Sequence, residues 1–571
     1  MSTLATLVSY LPPTLAARIL QDPEHDYFDE SRRYHAAVLF ADLAKFTPLT
    51  ETFCRAGPSG VEALTALLNA YFTALIAEVD HWGGVVGKFA GDAMTVFFTG
   101  ADAPLRAVAC AQAVLNRSQS FDRVQTPDGQ VTLQMKLGLA YGEVLEVVVG
   151  NDWHAEFIFA GAPLDAAAQA EHHASPLQIV LDASIQALLP ADCVRLTPIG
   201  EGFAILEEVA VLPEPQPLPA LTLNDSPRVE QRLRPFIPRP AYERVKLGLS
   251  AFVNEHRPVC TLFVNFEGID YTIADAARQL GDYLRPFFEI VAHYEGVIRQ
   301  VEIGDKGSKV IVVFGAPAAH ENDVERALLC ALDLQALAAN RPEISSQKIG
   351  LTTGFVFAGN VGAPHRQEYS AMGDVVNLSA RLMQAAAPGQ IWVDEATRRA
   401  APPSFVWQAL PPLSVKGKSQ PVKAFVLTRH LHRQAHVLPA AAYRLPMIGR
   451  QAELARIEQH LLQVKQTQHG RVIGITAEAG LGKTRLAVEV IRRALALGFQ
   501  GFAGNGVSHG ATTPYLAWRP IVRGLFDLDE EKPLAQQTEA VRALLAAIDP
   551  YLVERLPLLG DMLGETLPIA R

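Results

Sequence analysis

The stretch EYSAMGDVVNLSARL, Glu368 to Leu382, holds Asn377 and Arg381 four residues apart, so on a helix they share a face. A second stretch, EFIFAGAPLDAAAQA from Glu156 to Ala170, aligns with it when Gly161 is set on Gly373. Asp165 then stands at the place of Asn377, and Gln169 at the place of Arg381. The chain carries one element twice and keeps the Asn–Arg pair in a single copy.

The repeat extends on both sides of these stretches. Each half opens with an apolar strand, AAVLFADLAKFTPLTE from Ala36 and VCTLFVNFEGIDYTIAD from Val259. A helix follows: Val61, Leu64, Leu68, Phe72, Leu75 and Val79 recur at helical spacing in one copy, and Leu280, Leu284, Phe287 and Val291 in the other. A hairpin comes next, GVVGKFAGDAMTVFF and GVIRQVEIGDKGSKVIVVFG, then another helix and the strands MKLGLAYGEVLEVVVG and QKIGLTTGFVFAGNVG. Strand, helix, hairpin, helix, strand is the ferredoxin-like order.

The boundaries follow from composition. Residues 1–33 form an N-terminal helical segment in which LVSYLPPTLAARIL is amphipathic and is expected to pack on the protein. The first repeat spans 34–208 and the second 242–430. Between them, 209–241 is dense in proline and reads as an extended connector. A third module occupies 431–571.

The 571 residues, 49% apolar, suffice for several packed cores. A net charge of −10 argues against a nucleic-acid binder. No apolar run reaches the ~18 residues of a membrane span, and the first thirty residues lack the pattern of a signal peptide. Five cysteines without CxxC spacing fit a reducing cytoplasm, where this protein is expected to reside.

Two aspartates of the first half stand out by their places. Asp42 closes the apolar strand in FADLAKFT, and Asp92 lies in the hairpin turn of KFAGDAMTVFF. The second half has Asn265 at the place of Asp42, and aligning the following strands puts Gly307 at the place of Asp92, with Asp305 two residues away. Asn replaces a carboxylate poorly as a Mg²⁺ ligand. One half therefore keeps the carboxylates and the other keeps Asn and Arg.

In these motifs both halves resemble the catalytic domains of class III nucleotide cyclases, and their order resembles the soluble, bicarbonate-responsive adenylyl cyclase type over about Tyr34 to Leu427. The resemblance implies an α+β fold: two ferredoxin-like cyclase domains forming an intramolecular pseudo-heterodimer in a monomeric chain. It implies that ATP is converted to cyclic AMP and pyrophosphate at one interdomain site. Two Mg²⁺ or Mn²⁺ ions would be held by Asp42 and Asp92, Asn377 would orient the ribose, and Arg381 would neutralise phosphate charge. Lys306 and Ser370 match the adenine contacts of adenylyl cyclases, which favours ATP over GTP. Phe46 and Thr47, opening a helix after Asp42, would offer backbone N–H groups to the triphosphate. Lys136, and Lys416 or Lys418 from the second half, match phosphate contacts. At the degenerate site Lys88 matches the lysine of the bicarbonate clamp, while the clamp arginine falls on Ala168 or a neighbouring alanine. No nucleic acid and no membrane are expected as partners.

The third module contains IGITAEAGLGKTRLAVEVI, expected as strand, glycine-rich loop and helix. It fits the P-loop spacing with Ala477 at the first glycine; Gly480 and Gly482 would let the backbone wrap phosphate, Lys483 would reach it, and Thr484 would ligate Mg²⁺. With no Walker B strand after it, the expectation is a partial α/β P-loop ATPase domain of the signalling type. The competing reading is a catalytically silent cyclase pair that senses a ligand for that ATPase.

Overall fold

The computed structural model describes residues 2–430 and 447–559, apart from 45, 56–57, 122–123, 127–128, 225, 249–254, 305–306, 321, 416–420, 478–481, 505, 507–514, 527, 529–533 and 558. The chain divides into two compact units, 1–402 with 407–429, and 403–406 with 430–571.

The first unit opens with α1 (Thr3–Val8) and α2 (Pro13–Gln21). Leu7, Leu15, Ala16 and Ile19 of these helices are fully buried, as an amphipathic segment requires. The first half then runs β1 (Ser31–Leu43), α3 (Phe46–Arg55), α4 (Pro58–His81), β2 (Val85–Ala90), β3 (Ala93–Phe98), α5 (Ala103–Ser118), the small hairpin β4 (Val124–Thr126) and β5 (Gly129–Val131), β6 (Met135–Gly150), β7 (Ala155–Ala160), α6 (Ala162–His173), β8 (Ile179–Leu181), α7 (Ala183–Gln186), β9 (Val194–Gly200) and β10 (Phe203–Val209). Its sheet has the order β2-β3-β1-β6-β8-β10-β9, with β7 pairing β6.

Residues 210–224 have no regular structure, but the connector is not extended throughout: α8 (Pro227–Leu233) and α9 (Arg239–Lys246) form within and just after it. Ser226 caps α8 by accepting from the N–H groups of Arg228 and Val229, Pro227 sits in the first turn where its missing N–H costs nothing, and Val229 and Leu233 are buried with α1 and α2.

The second half repeats the order as β11 (Glu255–Glu267), α10 (Ala276–His293), β12 (Val297–Glu302), β13 (Ser308–Phe314), α11 (Asp323–Ala339), β14 (Ser346–Ala363), β15 (Arg366–Met372), α12 (Asp374–Ala385), β16 (Ile391–Asp394), α13 (Glu395–Ala400), β17 (Phe405–Ala409) and β18 (Ala424–His430). Its sheet order, β12-β13-β11-β14-β16-β18-β17 with β15 on β14, matches the first strand for strand.

Each half sends a long arm into the other. Phe357, Val361, Ala363 and Met372 of the β14–β15 hairpin are buried in the core of the first half. Asn69 on α4 donates to the Asn360 carbonyl at 3.4 Å and accepts from the Gly362 N–H at 3.2 Å. From the first half, the His154 ring stands edge-on to Phe288 of α10. Residues 63–81 of α4 are as long and as apolar as a membrane span, but their Leu68, Tyr71, Leu75, Ile76 and Val79 are fully buried in this core.

The second unit contains α14 (Gln451–Thr467), α15 (Lys483–Ala496), α16 (Arg519–Leu525) and α17 (Leu534–Ile548). The expected strand before the glycine-rich loop does not form: 471–477 pairs with no strand among the described residues, and Val472 is fully exposed. An apolar strand of a parallel sheet needs neighbours on both edges to satisfy its backbone, and the described residues of this unit supply none. The helix after the loop does form, with Gly482 in left-handed backbone and the Lys483 ammonium donating to the Ala477 carbonyl at 2.8 Å. Thr484 follows in its first turn; Gly480 lies outside the described residues.

Candidate active site

Asp42 stands near the end of β1, paired across the ladder with Lys136 of β6. Two ladder positions away from the hairpin turn, Met94 of β3 pairs with Ala41, which carries Gly91–Asp92 to the end of β1. Gly91 has φ +70°, so the tight turn depends on glycine there. Burial, and then the charges of Asp42 and Glu171, push the Asp92 carboxyl well above the usual carboxylate range. Glu171 lies on α6, which packs against β6 because Gly138 has no side chain: a Cβ there would stand 2.1 Å from the Ala167 carbonyl oxygen. The Lys136 ammonium donates to Glu171 at 2.6 Å, so the expected phosphate lysine is held by a buried carboxylate. Among the described residues no group of three or more metal-binding side chains gathers here, but the two carboxylates Asp42 and Asp92 are oxygen donors of the kind hard divalent cations take, and a cation would favour the ionised form of Asp92.

α3 begins just after β1, so Phe46 and Thr47 occupy its first turn, where backbone N–H groups are free of intrahelical partners. Against α3 packs α12 of the second half. This helix is fixed on β14 by the counterpart of Gly138: a Cβ on Gly350 would stand 2.2 Å from the Ser379 carbonyl oxygen. The Ser379 hydroxyl reaches the Gly350 carbonyl at 2.7 Å and that of Thr261 at 3.0 Å. Ser379 thus faces its own sheet, and Asn377 and Arg381 flank it, half-buried. The Arg381 Nη1 atom is buried with no partner among the described residues, an arrangement that an anionic ligand would complete. The structure therefore brings Asp42, Asp92, Lys136, Phe46 and Thr47 of one half to the side on which α12 of the other half docks.

The reciprocal site has lost its carboxylates. Asn265 pairs with Lys348 as Asp42 pairs with Lys136. The ladder corrects the second substitution: Val310 pairs with Val264 as Met94 pairs with Ala41, so Ser308, not Gly307, holds the place of Asp92. Gly307 is the counterpart of Gly91, with φ +82°. Sequence alignment slips here because the turn between β12 and β13 is longer than that between β2 and β3. The Ser308 hydroxyl is hydrogen-bonded to the Tyr271 hydroxyl at 2.5 Å. Opposite, α6 presents Asp165 and Gln169.

Two other expected residues are engaged elsewhere. The Lys88 ammonium donates to Glu156 at 3.0 Å; burial opposes ionisation of Glu156, yet Lys88 and His154 hold its carboxyl below the usual range. Lys88, His154 and Glu156 face Arg299 and Glu368 across a cavity of about 60 Å³. Ser370 is buried on β15, where its hydroxyl accepts from the Arg299 guanidinium at 2.8 Å. Lys306, Lys416 and Lys418 lie outside the described residues. Sequence reasoning missed Glu171, Tyr271 and Arg299. The first two come close to the site only through packing of helix or loop, and Arg299 is the extra residue of a β-bulge that pattern alone does not reveal.

The adenylate and guanylate cyclase catalytic domain family matches this chain twice, at residues 29–203 and 252–429. The chain belongs to that family. Human adenylate cyclase type 10 is 24% identical over 512 residues, which cover 82% of this chain and 31% of the human protein. The rabbit protein of the same name is 25% identical over 518 residues, with the same coverage. The chain therefore spans less than a third of the length of these relatives. Among solved structures, a class III adenylyl cyclase-like ATP-binding protein from Pseudomonas aeruginosa is 15% identical with a TM-score of 0.47, covering 71% of this chain and 95% of that one.

Proposed function

We propose that this chain is an adenylate cyclase that converts ATP to 3',5'-cyclic AMP and pyrophosphate at a single site between its two halves. The observation that carries the reading is the docking of α12, with its buried and unpartnered Arg381 nitrogen, against the half that holds Asp42 and Asp92. Asp42 and Asp92 would hold two Mg²⁺ or Mn²⁺ ions, which when bound supply charge for the attacking ribose oxygen and the leaving pyrophosphate. Asn377 orients the ribose so that its 3'-hydroxyl lies in line with the α-phosphorus, and Arg381 neutralises charge that grows on the phosphates. The first turn of α3 offers N–H groups to the triphosphate, and Lys136 turns from Glu171 toward phosphate. Lys416 belongs to the same phosphate set. The base lies near Ser370 and Lys306. Among the described residues Cys110, Cys193, Cys260 and Cys330 are buried and free, which suits the reducing cytoplasm in which such a monomeric enzyme would work. At the degenerate site bicarbonate would have to draw Lys88 from Glu156 without help from Ala168.

The test is product formation from ATP or GTP with Mg²⁺ or Mn²⁺, with and without bicarbonate at fixed pH, by wild type, D42A and R381A. Cyclic AMP from wild type and its loss in both variants support the reading. Near-normal activity in both variants overturns the site. No product from wild type returns attention to the ligand-sensing alternative.

A further inference from the structure

The outer hairpins of the two sheets share a register. In the first half Val86 pairs with Val96 and Lys88 with Thr95, with Gly87 bulged between them. In the second half Ile298 pairs with Val312 and Gln300 with Ile311, with Arg299 bulged, so Gln300 holds the place of Lys88. The arm of the opposite half meets the two bulges differently. β2 is the edge strand of its sheet, and the carbonyls at its bulge are taken by Arg366, the first residue of β15. Arg366 Nε donates to the Val86 carbonyl at 3.0 Å, and Nη2 to that of Gly87 at 2.8 Å. The same guanidinium lies 5.2 Å from the centre of the Phe89 ring and also donates to Glu368 of its own strand. His154 stands as far before Gly161 as Arg366 stands before Gly373, so it is the counterpart in the arm of the first half. An imidazole offers at most two N–H groups where a guanidinium offers five, and the His154 Nε2 makes no hydrogen bond among the described residues.

Arg366 is 1% exposed. Burying a guanidinium can cost more in lost hydration than its ion pair returns, so stability alone does not account for it; what the planar fork supplies is fixed geometry. The arm has other anchors. Phe357, Val361, Ala363 and Met372 are buried in the core of the first half, and Asn69 bonds to Asn360 and Gly362. Gln367 donates to Ser9 from both its backbone and its side-chain amide, each at 2.8 Å. What Arg366 adds is direction. Beyond Phe89, β2 turns at Gly91 into Asp92. Beyond Ser370, β15 ends at Gly373, where α12 begins and carries Asn377 and Arg381. One side chain therefore ties the strand that leads to a carboxylate to the strand that leads to the Asn–Arg pair. A bulge re-aims the residues that follow it, so a grip on the Gly87 bulge sets where the Asp92 turn points.

We propose that Arg366 is a positioning residue of the nucleotide-cyclising site: by holding the Gly87 bulge it aligns the Asp92 hairpin with the half that carries Asn377 and Arg381. The inference rests on the cyclase reading given above and adds to it a residue that acts through the hairpin.

The experiment compares wild type, R366A and R366K as full-length chains. It measures kcat and KM for ATP well below the melting point, Mn²⁺ binding to the nucleotide-free protein, and backbone hydrogen exchange in the hairpins 85–98 and 297–314. The expected result for R366A is a fall in kcat of about tenfold to a hundredfold with KM changed by less than about threefold, the pattern of a group misplaced in the transition state. R366K keeps the charge without the fork and should lose nearly as much. In both variants exchange should quicken in 85–98 and not in 297–314. The inference is overturned if folded R366A keeps kcat within about twofold of wild type, if R366K restores wild-type kcat, or if exchange quickens equally in both hairpins, as a merely structural role would give. If R366A does not fold, the same measures on R366K decide; if neither folds, Arg366 serves stability and the inference is overturned. If wild type forms no product, the cyclase reading fails, and the other two readouts judge Arg366 separately. Faster exchange confined to 85–98 with weaker Mn²⁺ binding in R366A then supports the inference. Unchanged exchange, or Mn²⁺ binding that is unchanged in R366A or absent in wild type, overturns it.

Discussion

The two cyclase halves agree in sheet order, in ladder register and in the glycine that seats a helix on the central strand, Gly138 in one and Gly350 in the other. They differ at the places where chemistry would occur. The first has Asp42 and Asp92 where the second has Asn265 and Ser308, and the second has Asn377 and Arg381 where the first has Asp165 and Gln169. The fold tolerates either set because these side chains stand at strand ends and on the helix face turned away from its own sheet, where the apolar core does not depend on them. The scaffold is twofold, whereas the groups proposed to react are divided between its copies.

The largest effect expected from breaking this comparison is on turnover. Removing a carboxylate (D42A) or the guanidinium whose Nη1 lacks a partner among the described residues (R381A) should lower kcat by at least ~10²-fold, the scale on which a group acting on developing charge works. N265A and S308A, at the equivalent places of the other half, should leave cyclic AMP production within about twofold of wild type. Product assays on the four variants, with circular dichroism to verify folding, check this. If N265A abolished activity, the assignment of the active side would be reversed.

Next in size is the seating of the helices. A methyl group added at Gly350 or at Gly138 meets backbone oxygen and nitrogen that cannot yield, so G350A and G138A should each destabilise the chain by about 1–3 kcal/mol or more. Thermal melts should show a similar loss for both. Activity measured well below the melting point should fall further for G350A, because α12 carries Asn377 and Arg381 whereas α6 carries only their replacements.

A smaller effect concerns stability without metal. Burial, and then the charges of Asp42 and Glu171, disfavour the ionised Asp92 carboxyl at the end of β1. D92N should therefore melt at least as high as wild type in the presence of a chelator at neutral pH while losing activity, and S308D should melt lower than wild type only if Asn265 cannot satisfy the added carboxylate. Differential scanning calorimetry with and without Mg²⁺ separates these effects.

The smallest effect lies at the tip of the second half's arm. His365 contacts Asp80 of α4 at 2.7 Å, and the hydrogen bond to Asp80, opposed by desolvation, raises the imidazole above its ordinary value. A raised histidine contributes stability that is complete below pH ~6.5 and is lost as pH rises through the folded value. Both groups are substantially exposed, so H365A should cost less than ~1 kcal/mol at pH 6 and nothing measurable near pH 9. Urea titrations at the two pH values check the sign; the reverse order would mean that the pair does not link the halves.

Much of this was legible in the chain itself. The strand–helix–hairpin–helix–strand order appeared twice because apolar periodicity is a local property, and Asp42, Asp92, Asn377 and Arg381 stood out because reciprocal loss can be read by aligning one half on the other. The P-loop region shows the limit of local pattern: the helix from Lys483 formed as expected, but the apolar strand before it did not, since a strand is completed by neighbours and not by its own composition. The connector shows the converse, since Val229 and Leu233 gain their helix by burying against α1 and α2.

What the sequence by itself determined, then, is the doubled order of elements, their periodicities and the reciprocal placing of Asp42 and Asp92 in one half and Asn377 and Arg381 in the other. What only the tertiary structure decided is register and partnership: that Ser308 and not Gly307 replaces Asp92, that Lys136 is held by Glu171, that a bulge at Arg299 sets Gln300 in the place of Lys88, and that Arg381 and Gln300 carry buried polar atoms with no partner among the described residues. Register depends on turn length and on bulges, and partnership depends on which surfaces dock. Both are fixed by contacts between residues far apart in the chain, which no local pattern encodes.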